Sequence, residues 1–444
     1  MYSDSPFFYA IIAVMKDITL AREMLGFIEK SPSCFHAVSN ISEILKENGF
    51  AELHENEKWN ITAGRSYFVK RNGSSIIAFT VPEKNFRRFL ICSSHSDSPC
   101  FKIKENPEMV SEQNYVRLNI EKYGGMICST WFDRPLSVAG RLLLKKDSVL
   151  DYEEKLFYVD KNLLMIPSLA IHMNREANDG VKYNVQNDML PVFSCCKDER
   201  LMDVIAKAAG VNLEKIAGSD IFLCCRDTGT FVGANDEMIA SPRLDDLECA
   251  WTSLQGFLQG KNESAVKVYC VFDNEEVGSL TRQGADSTFM EDVLKRLSSA
   301  CGKNDEEYHV AIAESFMVSA DNAHAMHPNF SSSADPVNRP KINGGPVIKY
   351  NASQKYTTDG ISSAMFRGVC EIAGVPVQVY TNRSDIAGGS TLGNLSNAHV
   401  SIRCVDIGLA QWAMHSAYET AGADDVVYMV RALKEFFLLS DLKK

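Results

Sequence analysis

Six side chains in this sequence have the types that activating water against a peptide bond requires: His95, Asp245, Glu275, Glu276, Asp321 and His415. Amide hydrolysis at neutral pH needs a nucleophile made from water and a stabilised carbonyl oxygen. A bridged pair of divalent ions supplies both. It asks for one bridging carboxylate, a histidine and a carboxylate per ion, and a free carboxylate as general base. The motif His95-x-Asp97 is weak alone, and an adjacent glutamate pair usually marks solvated surface. Here, though, Glu275-Glu276 sits in VFDNEEVGS, between an apolar run and a glycine turn. Neighbouring carboxylates at a strand end can point in different directions.

The elements that must position these residues alternate in type. Strand-like runs at 75–80 and 89–94 follow two amphipathic helices within 16–49. The second helix opens near Ser33, carries Ala37, Ile41, Ile44 and Leu45 at helical spacing, and closes at Gly49. After 240 the pattern predicts helices at 244–258, 287–299, 361–373 and 424–439, with strands at 265–272, 315–320, 376–380 and 399–405. Between 101 and 240 short β-like pieces (Tyr115–Ile120, Lys155–Val159) prevail and no long helix dominates. The expected division is therefore an α/β catalytic domain from 1–100 and 241–444, with a β-rich domain, 101–240, inserted. Open α/β sheets bind ligands beyond the carboxyl ends of their strands. The strands ending at Ser94, Phe272 and Ala320 lead into His95-Ser96-Asp97, Glu275-Glu276 and Asp321, so these three clusters should converge.

Bulk properties narrow the class. A chain of 444 residues exceeds one ordinary core, so two domains are expected. The net charge of -11, without a basic run, argues against nucleic acid as partner. Thirteen cysteines lack zinc-ribbon or redox spacing, and Cys195-Cys196 and Cys224-Cys225 are adjacent, which suits free thiols in a reducing cytoplasm. The apolar stretch Pro6–Met15 has no basic lead or cleavage site and is too short to span a bilayer. It reads as a short lead-in, with Met15 an alternative start, and no membrane partner is expected.

The chain resembles the M18 aminopeptidases over nearly its full length. The resemblance is carried by SPSCFHAV, SSHSDSPC, WFDRPLSVAGR, MIPSLAIHMNR, SPRLDDL, FDNEEVGS, SADNAHAMHPN, GGPVIK and MHSAYE, in the family's order. It implies a phosphorylase/hydrolase-like catalytic domain, a β-rich dimerisation domain, and dimers assembled into a tetrahedral dodecamer. It implies two divalent ions per subunit, zinc first, with cobalt or manganese as alternatives. His95 and Asp321 would bind one ion, Glu276 and His415 the other, and Asp245 would bridge. Glu275 would be the general base, and Asp97 would fix the tautomer of His95.

The same resemblance implies that His172 reaches across the dimer interface to help stabilise the tetrahedral intermediate. Lys349, at the end of GGPVIK, would contribute to the pocket for the substrate's first side chain, where it could pair with an acidic one. His327 would line that pocket, while His324 has no assigned role and His399, at the head of a supposed strand, is structural. Arg383-Ser384-Asp385 and Gly388-Gly389-Ser390-Thr391 match a further block whose backbone N–H groups could face the substrate; no lysine sits where a phosphate loop needs one. Two positions depart from the family: Asp246 where Asn is usual, and Gly388 where Cys is common. The expected activity is removal of N-terminal Asp or Glu from peptides. The alternatives are a broad or basic-residue aminopeptidase, a related carboxypeptidase or deacylase, or a catalytically inactive assembly protein.

Overall fold

Every residue of the strand Ala265–Phe272 is buried, and alternate side chains enter different cores. Ala265, Tyr269 and Val271 pack on one face, and Val266, Val268, Cys270 and Phe272 on the other. Strand side chains alternate in direction, so a strand apolar on both faces requires cover on both. The computed structural model, which describes residues 18–83 and 85–439, supplies that cover with helices. Thr19–Glu29, Cys34–Glu47, Leu244–Gln259, Gly360–Ala373 and Ala423–Leu438 build the first core, and Phe289–Ala300 and Asp305–Ala313 the second. Pro6–Met15 lies outside the described residues.

The sheet between them has nine strands, in the order Ala51–Leu53, Ser66–Arg71, Ser75–Thr80, Ala265–Phe272, Arg88–His95, Phe316–Ala320, Arg403–Gly408, Val347–Tyr350, Gln378–Thr381. The fourth, fifth and sixth are parallel neighbours, with Phe272 opposite His95 and Ser319 opposite Ser93. Their carboxyl ends therefore open side by side.

Residues 100–225 form a second, antiparallel sheet of six strands: Tyr152–Tyr158, Leu136–Lys145, Ile216–Cys225, Cys100–Val110, Val116–Tyr123, Val192–Ser194. It has its own core, including Phe101, Leu118, Val138, Leu142 and Leu223, onto which Leu201 and Ile205 of the helix Leu201–Ala209 pack. A third sheet joins Thr230–Val232 and Met238–Ser241 to Glu419–Gly422, Ala410–Trp412 and Ala323–His324. In it Ser241 lies opposite Glu419, which brings residues far apart in sequence to one spot.

Two helices are among the differences from the sequence expectation. Residues 399–405 are not one strand: His399 ends the helix Leu392–His399, started by the Thr391 side chain accepting from Gly393 N–H, and the strand runs Arg403–Gly408. The alternation of Val400, Ile402 and Cys404 suggested extended chain, but these residues bury into the second core across a bend. The helix Asp305–Ala313 was not expected because it buries only Tyr308 and Ala311, so its apolar periodicity is faint. Its capping box, Asn304 with Glu307, was the legible signal. Among the described residues no helix is long and apolar enough to cross a membrane.

Candidate metal centre

Asp245 sits at the start of the helix Leu244–Gln259, just after the strand Met238–Ser241, and is 2% exposed. Its Oδ1 lies 3.3 Å from His95 Nε2 and its Oδ2 3.5 Å from His415 Nε2. His415 Nε2 is also 3.5 Å from Glu276 Oε2. One carboxylate thus faces two imidazoles. Donor atoms of His95, Asp245, Asp246 and Asp321 all lie within 4.8 Å of one another, and so do those of Asp245, Glu276 and His415. A third such set, His95, Glu275 and Glu276, brings in the remaining glutamate.

The two imidazoles are oriented from behind. His95 Nδ1 faces the Asp97 carbonyl oxygen at 3.1 Å and its carboxylate at 3.3 Å. His415 Nδ1 donates to Gly125 O at 2.5 Å. With Nδ1 engaged in this way, each ring presents the Nε2 lone pair to the centre. His415 lies in the turn between Ala410–Trp412 and Glu419–Gly422, at φ 68. That left-handed backbone is held by Glu419, whose Oε1 accepts His415 N–H at 2.7 Å while Oε2 accepts Asp245 N–H at 3.1 Å.

The glutamate pair is held the same way. Asp97 accepts the N–H groups of Glu275 and Glu276, one on each oxygen, both at 3.2 Å. Tyr123 from the second sheet donates its hydroxyl to Asp97 Oδ2 at 2.8 Å and accepts from Asn274 Nδ2 at 2.8 Å. The centre is therefore clamped by a strand end of the six-stranded sheet as well as by the main sheet.

Carboxylates outnumber cations here. Burial pushes the Glu275 carboxyl up to about 8, with His95 opposing and Asp321, Asp97 and Asp245 adding to the rise. Burial and Asp245 likewise raise Glu276. Asp245 is the exception: burial acts to raise it, yet the facing His415 and His95 imidazoles hold it below the usual carboxylate range. Burial alone would lower His415, but Asp245 lifts it to about 9. Asp245 Oδ1 and Asp246 Oδ1 are buried without a hydrogen-bond partner. Orphaned buried oxygens among imidazole nitrogens are what a divalent cation would satisfy, and this nitrogen and carboxylate set suits zinc.

The other residues singled out in the sequence lie around this core. Lys349 is 3% exposed, and its ammonium donates to Asp321 O at 2.8 Å and Asn322 O at 3.3 Å, with Asp321 Oδ2 at 3.6 Å. Its immediate partner is thus Asp321. His327 and His324 line an open recess of about 320 Å³ with Tyr380, Arg383 and Gly388. His172 is exposed in the 160–182 segment, outside the three donor sets. His399 pairs with Asp286 at 2.8 Å. Sequence reasoning missed Glu419, Tyr123 and Gly125. Glu419 closes the quoted MHSAYE block, four residues after His415, and Tyr123-Gly124-Gly125 carried only the look of a strand end followed by a turn.

The sequence profile described as Aminopeptidase I zinc metalloprotease (M18) matches residues 27–437. A Clostridium acetobutylicum protein named Probable M18 family aminopeptidase 2 is 47% identical over 430 residues, covering 95% of this chain and 99% of that one. Among solved structures, a chain of the Ape4 and Nbr1 complex superposes with a TM-score of 0.91 at 35% identity, covering 94% of this chain and 85% of that one. The S. cerevisiae mApe1 dodecamer superposes with a TM-score of 0.83 at 27% identity, covering 95% of this chain and 96% of that one.

Proposed function

We propose, from the premise that this chain belongs to the M18 family of aminopeptidase I zinc metalloproteases, that it is a dinuclear aminopeptidase removing N-terminal Asp or Glu from peptides. The observation that carries this is Asp245, whose two oxygens face His95 and His415 separately. In this reading His95 and Asp321 hold one cation, Glu276 and His415 the other, and Asp245 lies between. Bound there, the ions would lower the pKa of water and polarise the scissile carbonyl. Glu275 takes the proton of the attacking water on its carboxylate and delivers it to the departing amine nitrogen. Asp97 positions that carboxylate through the Glu275 backbone and keeps His95 in one tautomer.

The division 1–100, 101–240 and 241–444, with the middle segment serving dimerisation, belongs to the same reading. So do a cytoplasmic location and assembly of dimers into a tetrahedral dodecamer, supported by the dodecameric relative. His172, flanked by exposed Leu169, Ile171 and Met173, would then complete the partner's site. His327 would line the pocket for the first side chain. Acidic preference rests on Lys349, which would share its ammonium between Asp321 and a substrate carboxylate. The existing contact between Lys349 and Asp321 favours a second reading, broad specificity, in which Lys349 serves Asp321 alone.

Apo-enzyme reconstituted with zinc, cobalt or manganese and assayed on Asp-, Glu-, Leu- and Lys-p-nitroanilides tests the dinuclear and the acidic readings. The proposal expects activity to saturate at two ions per chain, with Asp and Glu preferred. Saturation at one ion would refute the dinuclear reading, and a Leu or Lys preference the acidic one.

A further inference from the structure

Asp246 is fully buried, and one of its oxygens is already engaged, because Oδ2 accepts the His95 backbone N–H at 3.0 Å. An amide oxygen would accept that bond equally well. The negative charge is what remains unexplained, because Oδ1 has no hydrogen-bond partner. A lone buried carboxylate oxygen is costly unless a cation compensates it. Asp246 Oδ2 is 4.0 Å from His95 Nε2, and the residue shares a donor set with His95, Asp245 and Asp321.

We infer that Asp246 makes the two cation positions unequal, so that the ion between His95 and Asp321 is held more tightly than the ion between Glu276 and His415. This rests on the dinuclear reading above. Charge count carries the asymmetry. The His95 side has the carboxylates of Asp245, Asp246 and Asp321, whereas the His415 side has those of Asp245 and Glu276. Shielding acts in the same direction, since the His95 side chain is 1% exposed and that of His415 30%. Cations should therefore leave in order, the His415-side ion first.

Zinc titration of the apo-protein against a chelating dye tests this, comparing wild type with Asp246→Asn, which keeps an acceptor for His95 N–H. The expected result is two wild-type affinities, the tighter weakened about 10- to 100-fold in the variant and the weaker unmoved. Unchanged affinities, or a change in the weaker one only, would overturn the role of Asp246 and leave the dinuclear reading intact. Fewer than two ions on the wild type would overturn both. A second measurement needs no variant: anomalous scattering from wild-type crystals partly stripped by chelator. Residual zinc between His95 and Asp321 supports the asymmetry; equal or greater occupancy beside His415 refutes it.

Discussion

Asp97 holds Glu275 by its backbone, accepting the Glu275 N–H on Oδ1 at 3.2 Å while its other oxygen takes the next N–H and the Tyr123 hydroxyl. Asparagine offers one acceptor where three donors converge, and its amide N–H would confront a backbone N–H. Asp97→Asn should therefore lower kcat about 10- to 100-fold by misplacing the glutamate pair and His95. It should also cost about 1–3 kcal/mol of stability through an unsatisfied buried donor. Steady-state kinetics and denaturant unfolding check both, and wild-type values in each would remove the positioning role.

Glu275→Gln keeps the backbone bond to Asp97 and the shape of the side chain, but cannot accept a proton. Loss of about 10²- to 10⁴-fold in kcat is expected, with zinc content still two per chain. A variant within tenfold of wild type would show that another group takes the proton.

Complementation tests the partner-subunit role of His172. Subunits carrying His172→Ala mixed with subunits carrying Glu275→Gln should regain activity, because some sites in the mixed assembly then contain both functional groups. No recovery in assemblies shown to be mixed by mass spectrometry would confine His172 to its own subunit.

The half-buried His36 ring of the helix Cys34–Glu47 has Nδ1 2.8 Å from Ser33 Oγ, and burial followed by the Arg243 charge lowers its pKa from 6.5 to about 4. Above pH 6.5 it is neutral in folded and unfolded chain alike, so no linkage arises. Between pH 6.5 and 4 the unfolded chain takes up a proton that the folded chain does not, and stability falls as pH falls. The full window is worth at most about 3 kcal/mol. His36→Gln removes this component, so the stability advantage of wild type over variant should shrink from pH 7 to pH 4.5. A constant difference in unfolding free energy across that range would contradict it.

What the sequence disclosed and what it hid follow from locality. His95 ends an apolar strand, and Glu275, Glu276 and Asp321 follow one by one to four residues, so the convergence of three clusters needed only the parallel-sheet rule. Asp245 and His415 sit beside no such strand end of the main sheet. They meet through the third sheet, where Ser241 pairs with Glu419, a register that periodicity does not reveal. The Glu419 carboxylate reaches Asp245, and the Gly125 carbonyl reaches His415, across long sequence separations, and nothing in their residue types marks such contacts. The helix Asp305–Ala313 was hidden for another reason, since a largely solvated helix buries too little apolar surface to be periodic.

Lys349 decides between the acidic and the broad reading of specificity. Its charge is buried against Asp321, and the neighbouring carboxylates hold its pKa above the ordinary lysine value even though burial opposes this. If a substrate carboxylate shares that ammonium, Lys349→Met should lower kcat/KM for Asp- and Glu-p-nitroanilide about 10²-fold more than for Leu-p-nitroanilide, since an acidic side chain would lose a buried counter-charge. If Lys349 serves Asp321 alone, all substrates should fall together and zinc affinity should change with them. Measuring the Asp-to-Leu ratio alongside zinc affinity separates the two, and an unchanged ratio would leave acidic preference without a residue to support it.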